Sequence, residues 1–190
     1  CQRDGWLSDE IALIGNIMTD SPTSFTPSQP STVHHLAAKV VEACTAQGLR
    51  LGTAESTTGG LLGHLLVSVP GASKVFIGGV VAYHGHPKMN LLHVERATLK
   101  EYGSVNTHTT LAMAKGALEQ LDVDIALAES GIASPTNNPD RPGGLYSLTM
   151  LRADSTEKSE LVRISGDRSE TMYGAAEILF GWVLEHIQNS

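Results

Sequence analysis

The sequence predicts an α/β fold built on a mixed β-sheet, and three observations predict it. Helical and extended segments alternate from residue 33 to about 130, two extended segments follow one another at 143–153 and 159–165, and one long helical segment closes the chain. Alternation calls for parallel strands joined by crossovers, and consecutive extended segments call for an antiparallel pair, so the sheet is mixed. The 190 residues are 41% apolar, enough for one sizeable core, but only 5% aromatic, so that core rests on Leu, Val, Ile and Ala.

The elements follow in order. Residues 20–32 (DSPTSFTPSQPST) hold three prolines and seven Ser/Thr with little to bury, and read as a linker or arm; residues 33–190 form the compact domain. Ahead of the linker, Trp6 and IALIGNIM (11–18) read as a short helix that docks on the domain or on a partner. Val33, Leu36, Ala37, Val40, Val41 and Cys44 recur at helical spacing, with Ser31 or Thr32 as cap and Gly48 as stop. A short strand over 49–53 runs into a Thr-Thr-Gly-Gly turn, and 60–69 reads as helix. Residues 75–83 read as a buried strand from their β-branched content. Two short helices over 86–92 and 96–103 precede a longer amphipathic helix over 107–121 and a strand over 124–130. The last helix spans about 169–187, and no internal repeat is present.

Charge and composition exclude several function classes. A formal charge of −7 argues against a nucleic-acid binder, which would show a basic face, but leaves room for a small phosphorylated ligand held by a few amides and one or two cations. The only cysteines are Cys1 and Cys44, too few for a disulfide framework or a cysteine zinc site, and Cys44 reads as a reduced core residue. No apolar run approaches the roughly 20 residues that span a bilayer. The chain opens at Cys1 rather than Met. The expectation is a cytoplasmic protein, or an organellar one where a targeting segment has been removed ahead of Cys1.

In open α/β folds, sites gather where strands give way to loops. Three clusters sit at such junctions: Ser56–Gly60, YHGHPK (83–88) and ESGIASP (129–135), with SGDR (165–168) as a fourth. Ser56 reads as a helix cap or as a nucleophile, and a serine hydroxyl needs a base to take its proton. Eight histidines are available, yet no Gly-x-Ser-x-Gly elbow surrounds Ser56. The other base is a lysine, which must be neutral to work. Lys88 at a strand end qualifies, or is an ordinary surface lysine. The Thr-Thr-Gly-Gly turn at a helix start offers amides to a phosphate, or is a turn eased by glycine. Arg168 is a carboxylate or phosphate clamp, or a solvated helix-start residue. Glu55 orients a neighbour or accepts backbone bonds. His84 and His86 form a pair without an evident third ligand, so no metal and no cofactor is expected.

Taken together, these stretches resemble the C-terminal domain of the competence/damage-inducible CinA family, the nicotinamide-nucleotide amidases. The matching blocks are TAESTTGGLL (family style A-E-S-C-T-G-G), PGASKVFIGGVVAYHGHPKMNLL, YGSVNTHTTLAMAKGA, ESGIASP, RPGGLY and SGDR, colinear across about residues 33–187. The resemblance implies a three-layer α/β/α fold and hydrolysis of nicotinamide mononucleotide to nicotinic acid mononucleotide and ammonia through a serine–lysine dyad. By motif, Ser56 would be the nucleophile and Lys88 its base, with Tyr83 beside them. Glu55, Thr57, Thr58, Gly59, Gly60, Ser73, Ser130, Gly131 and Arg168 match positions associated with binding. It also implies a homo-oligomer, and the N-terminal arm adds the option of a larger assembly. The departures are Thr57 for the usual Cys, His84-Gly85 for Ser-Asn, Ser134 for Gly, and the missing glycine pair after Pro135. They keep a second reading open, a catalytically idle CinA-like subunit that binds a nucleotide or serves in an assembly, and a third, an amidase for another small amide.

Overall fold

The computed structural model describes residues 22–134 and 141–188. Its elements are β1 (Thr23–Phe25), α1 (Pro30–Gln47), β2 (Leu51–Glu55), α2 (Leu61–Val67), a single 3-10 turn (Ala72–Lys74), β3 (Phe76–Val81), α3 (Gly85–Leu92), α4 (Arg96–Tyr102), α5 (Thr107–Leu121), β4 (Ile125–Ile132), β5 (Leu145–Arg152), β6 (Glu157–Ile164) and α6 (Arg168–Gln188). One six-stranded sheet runs in the order β1-β6-β5-β4-β2-β3. β4, β2 and β3 are parallel, β5 is antiparallel to both β4 and β6, and β1 lies parallel to β6. This is the expected mixed sheet.

Two apolar layers cover it. On one face Val33, Val40 and Cys44 of α1, Leu62, Leu65 and Leu66 of α2, and Leu179, Phe180 and Trp182 of α6 pack on Leu51, Ile125 and Leu127. On the other, Leu92 of α3 and Met113, Ala114 and Ala117 of α5 pack on Ala54, Ala126 and Ala128. The alternation along β4, odd positions to the first face and even to the second, is the period of a strand buried on both sides. The small residues of the second face leave room for α5, which also packs tightly on α3: a Cβ at Gly116 would run into the Leu92 carbonyl. Together they make three α/β/α layers. Among the described residues, no helix is long and apolar enough to cross a membrane.

Three features differ from expectation, each for a physical reason. β1 lies inside the stretch taken as linker. Its main-chain bonds to β6, the Ser165 amide on the Phe25 carbonyl and the Ser28 amide on Glu177 do not show in composition, so the folded unit begins ahead of residue 33. α1 starts at Pro30, whose lost N–H costs nothing at a first helical position, and its N-cap is Gln29 rather than Ser31 or Thr32. Gly48 ends it as expected, at φ 66°, with its amide and that of Leu49 closing on Thr45 and Cys44. β3 is an edge strand, not a buried one: Ile77 and Val81 are 48% and 49% exposed. The residues 11–18 and the loop 135–140 lie outside the described residues.

Candidate active site

β2, β3 and β4 run parallel, and the chain leaves β2 for β3 on one side and reaches β4 on the other. α2 covers one face of the sheet and α3 to α5 the other. Such a reversal opens a crevice at the carboxyl ends of the strands. A cleft of about 320 Å³ lies there, lined among others by Ser56, Thr57, Tyr83, Lys88, Ser130, Gly131, Arg141 and Arg168.

The first wall is the turn after β2. The sequence left Ser56 as a cap or a nucleophile; the structure removes the cap. Gly60 occupies that position at φ 102°, Gly59 precedes it at φ 62°, and α2 begins only at Leu61. The capping is done by Glu55. Its Oε2 accepts from the amides of Gly60 and Leu62 and from Thr58 Oγ1, and its Oε1 accepts from the Gly63 amide and Thr53 Oγ1. Glu129 at the end of β4 takes two more amides of the turn, those of Ser56 (2.5 Å) and Thr58 (2.9 Å), both on Oε1. Of the turn amides expected to face a phosphate, those of Thr58 and Gly60 are therefore occupied by two buried carboxyls. Glycine serves at 59 and 60 because the turn needs positive φ there.

Ser56 is left with its hydroxyl toward α3. Lys88 Nζ lies 2.8 Å from Ser56 Oγ and 2.9 Å from the Ala82 carbonyl. Lys88 is 1% exposed and Ser56 4%. A lysine held this deeply, with Nζ on a hydroxyl and a main-chain carbonyl, is the unusual feature of the cleft. The strand end places it: Gly85, buried at the first turn of α3, lets the helix start against the sheet three residues before Lys88. Of the histidines in the described residues, His84 alone lines the cleft, while His86 bonds Asn90 on the exposed side of α3.

The other residues singled out by sequence divide clearly. Tyr83 stands at the cleft mouth, 65% exposed. Thr57 Oγ1 donates to the Gly131 carbonyl at 2.7 Å and accepts from the Gly131 amide at 2.8 Å, tying the turn to β4; a cysteine would make weaker bonds there. Ser130 is buried on the wall. Arg168 begins α6 at the rim, and its Nη1 donates to Ser134 Oγ at 3.3 Å. Glu55, Thr58, Gly59 and Gly60 are not among the residues lining the cleft; Glu55 and Thr58 are buried behind it and hold the turn. Ser73 is exposed in the 3-10 turn before β3, at the opposite end of the sheet from the cleft. Two residues escaped the sequence reading. Arg141 lines the cleft from the loop before β5. Glu129 opens the ESGIASP cluster, and the signal for it is a charge closing the apolar run Ile125–Ala128. Among the described residues, no three of His, Cys, Asp and Glu converge as metal ligands would.

The CinA C-terminal domain model matches residues 33–187. The chain belongs to the CinA family. It is 37% identical over 145 residues to a CinA-like protein of Kosmotoga olearia, covering 76% of this chain and 35% of that protein. To a putative competence-damage inducible protein of Caldicellulosiruptor bescii it is 42% identical over 130 residues, covering 68% and 31%. It thus spans about a third of the length of these CinA relatives. Among solved structures, the competence/damage inducible protein CihA from Agrobacterium tumefaciens superposes with TM-score 0.79 at 30% identity, over 87% of this chain and 99% of that one. A CinA superfamily protein from Klebsiella pneumoniae gives TM-score 0.79 at 29% identity, over 83% and 99%.

Proposed function

We propose that this CinA-family cleft is the active site of an amidohydrolase that converts nicotinamide mononucleotide and water to nicotinic acid mononucleotide and ammonia. The observation that carries the reading is the 2.8 Å approach of Lys88 Nζ to Ser56 Oγ, both buried at the floor of the cleft. As the neutral amine, Lys88 accepts the Ser56 hydroxyl proton while the oxygen attacks the carboxamide carbon. The same proton passes to the departing nitrogen as the C–N bond breaks, releasing ammonia and leaving an ester on Ser56. Water, deprotonated in turn by Lys88, hydrolyses that ester and restores the serine.

Size and charge support a mononucleotide. The volume of about 320 Å³ falls in the range of small-molecule sites. Arg141 and Arg168 supply guanidinium groups to the cleft of a protein whose formal charge is −7. With the Ser56, Thr58 and Gly60 amides engaged by Glu129 and Glu55, these arginines are a source of positive potential for the phosphate. Tyr83 supplies a hydroxyl at the mouth beside the dyad.

The test is ammonia release from nicotinamide mononucleotide. Wild type should release one ammonia per nicotinic acid mononucleotide formed, and Ser56→Ala should release none while keeping its melting temperature. No ammonia from the wild type would overturn the reading, and a nucleotide that still bound would then favour the idle, nucleotide-binding subunit.

A further inference from the structure

Thr58 presents a counting problem. Its hydroxyl oxygen lies 2.8 Å from Glu55 Oε2 and 2.8 Å from Glu129 Oε1. A hydroxyl has one proton and can donate to only one carboxylate oxygen, so the second contact is a repulsion unless that carboxyl carries a proton of its own. The surroundings decide which one does. Glu55 accepts four further donors spread over both oxygens, from Thr53, Gly60, Leu62 and Gly63. Glu129 is fully buried, its other bonds both fall on Oε1, and among the described residues its Oε2 has no hydrogen-bond partner. An ionised carboxylate with one buried oxygen bare is far more costly than a neutral acid in that place.

We propose that Glu129 is a protonated positioning residue: its acid O–H donates to Thr58 Oγ1, the Thr58 hydroxyl donates to Glu55 Oε2, and this chain fixes the turn that aims Ser56 at Lys88. The Glu129 carboxyl spans the gap between β4 and the turn, and it takes the Ser56 and Thr58 amides on either side of Thr57. Ionising it places two negative charges on one hydroxyl and breaks the chain through Thr58. Burial, opposed by the bonds from Thr58 and Ser56 and helped by Glu55, pushes the Glu129 carboxyl above its usual range. The charged and titratable groups around it are Glu55 on β2, Lys88 on α3 through Ser56, and Tyr146 on β5. Arg168 at the start of α6 acts on the same Tyr146.

A group whose folded pKa is raised stabilises fully below its unfolded pKa, and that contribution is lost as pH rises through the folded value. Three measurements on the whole chain test the proposal, which uses the amidase reading only in the third. Infrared spectra at neutral pH should show a protonated-carboxyl C=O band that is absent in Glu129→Gln and present in Ser56→Ala. Melting temperature of the wild type should fall as pH rises through the folded pKa, and Glu129→Gln, which mimics the neutral acid, should lack that fall. With nicotinamide mononucleotide, Glu129→Ala should lose roughly tenfold or more in kcat with little change in KM, and Gln should restore most of it without the alkaline limb. The proposal is overturned if the band is missing, or if Glu129→Gln melts as low as Glu129→Ala. Failure of the amidase reading alone would leave the first two results standing.

Discussion

Ile125–Ala128 and Glu129–Ser130 are neighbours on one strand and equally hidden from solvent, yet they are buried on opposite terms. The body of β4 is apolar, and burying it contributes stability through the area removed from water. Its carboxyl-terminal rim buries an acid and a hydroxyl, which costs free energy that hydrogen bonds only offset. β2 repeats the contrast, from Leu51 and Ala54 in the body to Glu55 and Ser56 at the rim. In both strands, stability resides in the body, while polar burial at the rim fixes geometry. Substitutions should separate accordingly, body changes acting on melting and rim changes on turnover or binding.

The largest effect expected at the rim is that of Lys88→Met. On the amidase reading Lys88 is the general base, and removing it should lower kcat by about 10²- to 10⁴-fold. Methionine fills the apolar part of the same space without a buried amine, so the melting temperature should hold or rise. A variant that unfolded instead would break the contrast, since Lys88 would then be holding the fold through Ala82 and Ser56.

Phe180→Ala is the counterpart in the body. Phe180 is fully buried among α1, α6 and the sheet, and truncation should cost about 3 to 5 kcal/mol in denaturant unfolding. The folded fraction should keep its turnover. A changed KM or kcat per folded molecule would mean that the two regions are mechanically coupled.

Arg168→Ala sharpens the rim further, because Arg168 is exposed and packs little. Nucleotide binding measured by calorimetry should weaken roughly tenfold to a hundredfold, the scale of a charged hydrogen bond. The dephosphorylated riboside should bind weakly to both forms. Equal losses for both ligands would move Arg168 from the phosphate to the sugar or ring.

The smallest effect concerns Cys44, deep in the body. Desolvation by burial pushes its thiol up to about 12 from 9.0, outweighing the opposing charge of Arg152. The raised value means full stabilisation below about pH 9, lost as pH climbs toward 12. Native protein near pH 8 should therefore show almost no thiol modification at Cys44, whereas the denatured chain reacts at once.

Helices and strands were legible in the sequence because side-chain periodicity is a local property. Thr107–Leu121 matches its α5 boundaries, and Gly48, the paired late strands and the two short helices stand where spacing puts them. The motif around Ser56 and Lys88 was legible as a resemblance, and it named two residues that the fold brings within 2.8 Å of each other. Tertiary structure alone decided the rest, because it depends on partners distant in the chain. Main-chain pairing with β6 turned a Pro/Ser/Thr stretch into β1, since ladder bonds need no particular side chain. The position of β3 at the sheet edge left half of a β-branched run in water. The amides of Ser56, Thr58 and Gly60 were free on paper and are engaged in the fold by Glu55 and by Glu129, the latter 73 residues from Ser56. A sequence shows which groups can donate and accept; only the folded chain decides which of them meet, because a hydrogen bond is made over about 3 Å of space rather than along the chain.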